Sequence, residues 1–259
     1  GQRLFDAETG IMAALIFGTA PFVVYSTTNF QLDLPLAAVV ILSLLVLVRT
    51  EEFSRRSWSI AMGLTLALGM LVKPPFAVYL LPPLILFAWR ALRAPERGRR
   101  LVNLGLILLL GVALSLPWYG MRVFGLPIQI VNRAFKQAAE SGYPETLTAS
   151  ALLFYPRTLL STFGLLAGPL FAWGLLALIR SPAARGLLWS ASVVPFAVFL
   201  FIQNKNLRYG LPILPVAALI AAAGLRALAP AWRRGCTLAL VGVAVLQVGA
   251  AAFGVPPVP

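Results

Sequence analysis

Nine apolar runs set what this chain can fold into. They cover residues 9–26, 34–48, 58–72, 76–89, 101–118, 151–179, 187–202, 211–228 and 236–253. About 20 apolar residues cross some 30 Å of hydrocarbon as a helix, and fewer suffice where loops dip inward. Hydrocarbon offers the backbone no hydrogen-bond partner, so each run has to satisfy its own N–H and C=O groups and must be helical. With 60% hydrophobic residues, 11% charged residues and a mean hydropathy of +0.89, the composition also lies far from the soluble average. The expected fold is therefore an all-α polytopic membrane protein with about nine transmembrane helices, residues 1–259 forming one transmembrane domain.

The net charge of +13 would suggest a nucleic-acid partner on a soluble protein. Here the loops between spans account for it, and no nucleic acid is expected. Assigning the loops alternately to the two sides places 14 Lys and Arg on one side, Arg3 among them. Seven fall on the other: Lys73, Arg122, Arg133, Lys136, Arg157, Lys205 and Arg208. The positive-inside rule makes the first side cytoplasmic and the second the outer face.

Histidine is absent, which removes imidazole chemistry and His-ligated metals, and the single Cys236 has no internal disulfide partner. There is no nucleotide-phosphate loop and no zinc motif, which argues against a nucleotide-sugar donor. The sequence opens at Gly1 without a signal peptide, and a segment of a longer protein is expected. The Pro-rich end, residues 254–259, reads as the stump of a linker.

The one long loop, residues 119–150, falls on the outer side. Ile130, Val131, Ala134, Phe135 and Ala138 share one helical face in it, and Asn132, Arg133, Lys136, Gln137 and Glu140 share the other. That spacing predicts a helix lying in the membrane interface and ending near Ser141-Gly142; a loop helix packed on the bundle is the alternative. Prolines in Lys73-Pro74-Pro75, Leu116-Pro117-Trp118, Tyr155-Pro156 and Leu211-Pro212 through Leu214-Pro215 mark places where helices break or start.

The stretch from Asn29 to Pro35 places Asp33, one of only eight acids, at the mouth of an apolar helix. A charge at the bilayer centre costs roughly 3 kcal/mol, so an acid beside the membrane calls for a reason. Capping the next helix is one such reason, and contact with substrate is another. Around the same face lie Lys73, Arg157, Lys205 and Arg208, for which snorkelling or interfacial anchoring is the structural alternative. Cations neutralise phosphate oxygens and stabilise a phosphate leaving group. A carboxylate accepts a proton from a hydroxyl, orients a sugar or holds a divalent cation. One acid among several cations at an outer leaflet fits a lipid-linked phosphate.

Several stretches, in order, resemble a known family. They are Gly10-Ile11-Met12-Ala13-Ala14 through Pro21-Phe22, Leu32-Asp33-Leu34-Pro35-Leu36, the segment from Gly63 to Gly69, Leu71-Val72-Lys73-Pro74-Pro75-Phe76 and Leu81-Pro82-Pro83. Leu116-Pro117-Trp118-Tyr119 and Arg208-Tyr209-Gly210-Leu211-Pro212-Ile213-Leu214-Pro215 complete the set. Together they are similar to the bacterial protein O-mannosyltransferase and lipid A aminoarabinose transferase superfamily. The resemblance implies a C-type glycosyltransferase fold and inverting transfer of a sugar from a polyprenyl-phosphate carrier to a glycan, lipid or protein acceptor. It implies a bacterial inner membrane, with the active site facing the periplasm or exterior.

In that superfamily the general base lies in a first outer loop that has no counterpart here, so upstream helices are expected to be missing. Asp33 matches the second acidic position, which implies a supporting role toward sugar or a divalent cation. Lys73, Lys205, Arg208 and Tyr209 are then the expected carrier-phosphate contacts, with Arg157 and Tyr155 beside them. Two other readings stand: a transporter or flippase for an anionic lipid or solute, and a non-catalytic membrane assembly subunit.

Overall fold

A computed structural model of the chain describes residues 2, 4–28, 31–122, 124–180 and 182–253. Arg3, Asn29, Phe30 and residues 254–259 lie outside the described residues, as do the sequence readings that fall on them.

Among the described residues every regular element is a helix. In chain order these are α1 (Ala7–Gly18), α2 (Pro21–Thr27), α3 (Asp33–Arg49), α4 (Arg56–Val72), α5 (Phe76–Arg93), α6 (Arg97–Tyr119) and α7 (Gly125–Val131). They continue with α8 (Gln137–Glu140), α9 (Ala149–Leu152), α10 (Phe154–Phe163), α11 (Ala167–Ala177), α12 (Pro182–Leu200), α13 (Leu214–Arg226) and α14 (Pro230–Ala252).

All nine apolar runs are helical, but their lengths differ from the expectation. Among the described residues four helical segments are long and apolar enough to cross a membrane, or up to six if each of two bent pairs counts as one span. The run 9–26 bends by 61° between α1 and α2, where Pro21 opens the new helix. The run 151–179, expected as one long helix, turns through 118°. The cause is local: Gly164 has φ 108°, a conformation that a side chain resists, and Pro169 requires a fresh helix start just ahead of it.

Two compact units make up the chain. The first comprises Gly1–Leu34, Leu152–Ser192 and Leu207–Pro259; the second comprises Pro35–Ala151 and Val193–Asn206. In the first unit an ion pair between Asp6 and Arg226 sets α1 antiparallel to α13. Helices α11 and α13 meet backbone to backbone. A Cβ on Gly174 would stand 2.1 Å from the Ile220 carbonyl oxygen, and one on Gly224 2.5 Å from that of Leu170. Small residues allow this approach, which is how helices associate where burial from water supplies no drive.

The second unit is organised on α4 and α6, which run parallel and are tied at three levels. At the Arg-rich end, Glu51, Glu52 and Phe53 take left-handed φ values of 51°, 56° and 64°. Such residues are costly without support. Arg100 donates to the carbonyls of Glu51 and Glu52 at 3.0 Å each, and Asn103 donates to that of Phe53 at 2.7 Å. Midway, a Cβ on Gly63 would lie 2.8 Å from Leu110 Cβ, and one on Gly111 2.4 Å from Leu66 Cδ2. At the opposite end the Tyr119 hydroxyl donates to the Met70 carbonyl.

The outward faces carry Leu, Ile and Val: Leu42, Leu45, Leu64, Leu68, Leu109 and Val112 are all exposed. A surface of this kind suits hydrocarbon and would aggregate in water.

Candidate functional site

Asp33 is the first residue of α3, one position inside the helix rather than at its cap, with Pro35 in the same turn. Its carboxylate is buried, with only 3% of the residue exposed. A carboxylate in a first turn complements the positive end of the helix dipole, whatever else it binds.

Lys73 ends α4 in an extended conformation, φ −165° and ψ 130°, and its N–H donates to the Gly69 carbonyl at 3.1 Å. Pro74 and Pro75 then stop the helix, as the Lys73-Pro74-Pro75 pattern predicts. Lys73 is half-buried.

The α10 helix brings Tyr155 and Arg157 close together in sequence but gives them different fates. Tyr155 is buried, its ring edge-on to Phe154 at 5.1 Å, and Arg157 is exposed. In the first unit α10 packs against the 3₁₀ segment Leu207–Ile213 and against α2. That segment carries the exposed Arg208 and the half-buried Tyr209, so both pairs of residues lie on neighbouring elements.

Lys205 departs from the expected outward cation. Only 1% of the residue is exposed, and its ammonium donates to the carbonyls of Phe199, Leu200 and Ile202 at 2.9, 2.8 and 2.6 Å. An ammonium has three N–H groups, and all three are used. Lys205 thus closes the end of α12, and burial lowers its pKa from the ordinary lysine value.

Its neighbours tie the loop 119–150 down. Asn204 N–H donates to the Ala134 carbonyl at 3.0 Å, Asn204 Nδ2 to that of Arg133 at 3.2 Å, and Gln203 Nε2 to that of Tyr143 at 3.4 Å.

That loop is helical where amphipathic spacing predicts, with a correction to its face. A π-helical turn at Asn132–Lys136 separates α7 from α8. The wider turn shifts the helical phase of the residues beyond it. Ile130, Val131 and Phe135 are exposed, whereas Ala138 is fully buried. The helix stops at Ser141-Gly142, where Gly142 takes φ 75°.

Residues 1–118 match the model of the dolichyl-phosphate-mannose-protein mannosyltransferase family. That stretch is similar to this family. No curated protein and no solved structure matches the chain. The matched segment runs from α1 almost to the end of α6, and it contains both Asp33 and Lys73. It stops just before Tyr119 and the long loop that follows, so Tyr155, Arg157, Lys205, Arg208 and Tyr209 lie beyond the matched residues. The apolar helices and the family together make this an integral membrane protein.

Tyr119 was not singled out by sequence reasoning as a functional residue. The signal that could have found it is the pair of prolines at 74 and 75, which leave carbonyls in need of a donor from elsewhere.

Proposed function

We propose that the chain moves a sugar from a polyprenyl-phosphate carrier to an acceptor on the outer side of a bacterial inner membrane. The observation that carries this reading is the mannosyltransferase-family match over residues 1–118, with Asp33 and Lys73 at helix ends inside it.

In this reaction an acceptor oxygen attacks the anomeric carbon, the bond from that carbon to the phosphate oxygen breaks, and polyprenyl phosphate leaves with the electron pair. The acceptor proton passes to a base. Taken residue by residue, Lys73 is a candidate for stabilising charge on a departing phosphate, Arg208 is another, and Asp33 is a candidate for orienting sugar hydroxyls. Arg157, Tyr155 and Tyr209 would line the approach of the carrier. Each assignment rests on the residue's own helix end. Lys205, with its three N–H groups on carbonyls, holds the segment leading into Leu207–Ile213 rather than contacting phosphate.

Among the described residues no three carboxylate, thiolate or imidazole groups lie together. A divalent cation at Asp33 would therefore complete its shell with phosphate or water, as magnesium sites often do.

The test is transfer from a labelled polyprenyl-phosphate sugar by full-length protein in vesicles. Asp33→Asn and Lys73→Ala should each lower turnover by about tenfold or more, the scale on which loss of a transition-state donor acts. Wild-type rates in both would sink the assignment.

A second reading, movement of an anionic lipid or solute, draws support from the two broken spans. Both breaks border one small cavity of the first unit, of about 20 Å³, lined by Thr19, Gly164 and Gln247 among apolar residues. Discontinuous helices line transport sites in many carriers. Flux of the carrier lipid without cleavage of the sugar–phosphate bond would favour this reading over transfer.

A further inference from the structure

Pro74 and Pro75 take two donors out of the end of α4. In a continuing helix the Met70 carbonyl would accept from residue 74 and the Leu71 carbonyl from residue 75, and proline has no N–H to give. For Met70 the missing donor comes from Tyr119, whose hydroxyl reaches the carbonyl from the last residue of α6. The close approach of the two helices at Gly63 and Gly111 makes this reach available.

A second contact fixes the chain on the other side of Lys73. A Cβ on Gly69 would stand 2.3 Å from the ring of Phe76, the fully buried first residue of α5. The ring fits only because residue 69 has no side chain. Lys73 therefore sits in a turn clamped three residues before it, by Tyr119 on Met70, and three residues after it, by Phe76 on Gly69.

We propose that Tyr119 is a positioning residue for Lys73: by completing the end of α4 it holds the turn that aims the ammonium at the carrier phosphate. This links two sequence patterns, Lys73-Pro74-Pro75 and Leu116-Pro117-Trp118-Tyr119, through one hydrogen bond. The inference rests on the reading of Lys73 as a phosphate contact.

The experiment measures binding of a short-chain polyprenyl-phosphate mannose to the full chain in detergent, together with the thermal midpoint, for three variants. Lys73→Ala should weaken binding by about tenfold or more. Tyr119→Phe should weaken it by about three- to tenfold, the reach of one lost hydrogen bond, and lower the midpoint. Adding Pro74→Ala to Tyr119→Phe offers the residue 74 N–H to the Met70 carbonyl, but it also lifts the pre-proline restraint that keeps Lys73 extended, so the turn at Lys73 changes. The double variant should regain the midpoint and keep the weakened binding.

Wild-type binding by Tyr119→Phe beside a weakened Lys73→Ala overturns the positioning role and leaves the Lys73 reading standing. Recovery of both midpoint and binding in the double variant makes Tyr119 a helix cap alone and also overturns it. Wild-type binding by Lys73→Ala overturns both.

Discussion

At the end of α4 a carbonyl stripped of its partner by Pro74 is met by Tyr119, 49 residues away in sequence; at the end of α12 three carbonyls are met by Lys205, three to six residues away. Each end is an apolar helix with a lysine beyond it, Lys73 directly after Val72 and Lys205 five residues after Leu200. They differ in where the donor comes from. Where the chain itself supplies an ammonium within reach of its last carbonyls, that lysine is drawn in and buried. Where prolines hold the chain extended, a side chain from a neighbouring helix takes over, and the lysine stays half-buried at the turn. A lysine after an apolar helix is thus drawn in as a cap or left half-buried, depending on what else can reach the carbonyls.

The comparison breaks most visibly at Lys205. Lys205→Met removes three hydrogen bonds and leaves three carbonyls to find new partners, and it should cost about 3 kcal/mol or more. The thermal midpoint of the purified chain, followed by tryptophan fluorescence, should drop further than for Tyr119→Phe, which loses one bond. An equal or smaller drop would mean that the two ends are not capped in the way the hydrogen bonds describe.

Gly69→Ala is a gentler probe of the other end. The new methyl group would meet the buried Phe76 ring, and overpacking of this kind costs about 1–3 kcal/mol. Gly105→Ala, in α6 with nothing within 4 Å of its added Cβ, is the matched control. It should be neutral or stabilise by up to about 1 kcal/mol through helix propensity. Similar losses in the two variants would remove the Phe76 contact from the account of the Lys73 turn.

The features that could be read in advance are those set by short-range forces. The helical character of all nine runs was legible because hydrocarbon leaves the backbone one solution, and the stop at Lys73-Pro74-Pro75 was legible because proline acts locally. The breaks at Gly164 and before Pro21 were written in the sequence as Gly164 with Pro169 five residues on and as Gly18 ahead of Pro21, but unbroken hydropathy concealed them. The exposed apolar face of the loop 119–150 was legible up to Phe135, and then a π turn, which no spacing rule anticipates, rotated Ala138 inward. The fate of Lys205 and the bond from Tyr119 depend on which donor arrives at a given carbonyl in three dimensions. Sequence spacing alone does not decide that competition.

The smallest effect tests the burial of Lys205 directly. This residue lies beyond α12, outside the helices long enough to span, and desolvation lowers its pKa from the ordinary value of 10.5. Bonding to three carbonyls favours the charged form and works against that shift, so the measured direction reports which influence prevails. With the folded value below the unfolded one, the unfolded chain binds more protons in the interval between them, and stability rises with pH across that interval. Below it both states are protonated and the cost of burying the charge is felt in full; above 10.5 both are neutral and the cost is gone. Unfolding midpoints measured on the alkaline side for wild type and for Lys205→Met should therefore converge at lower pH and separate as pH approaches 10.5, after allowing for their constant offset. The other lysines and the tyrosines titrate in both proteins and cancel in the difference. A difference that falls with rising pH would show that the carbonyls outweigh desolvation and that the ammonium is held more firmly than its burial implies.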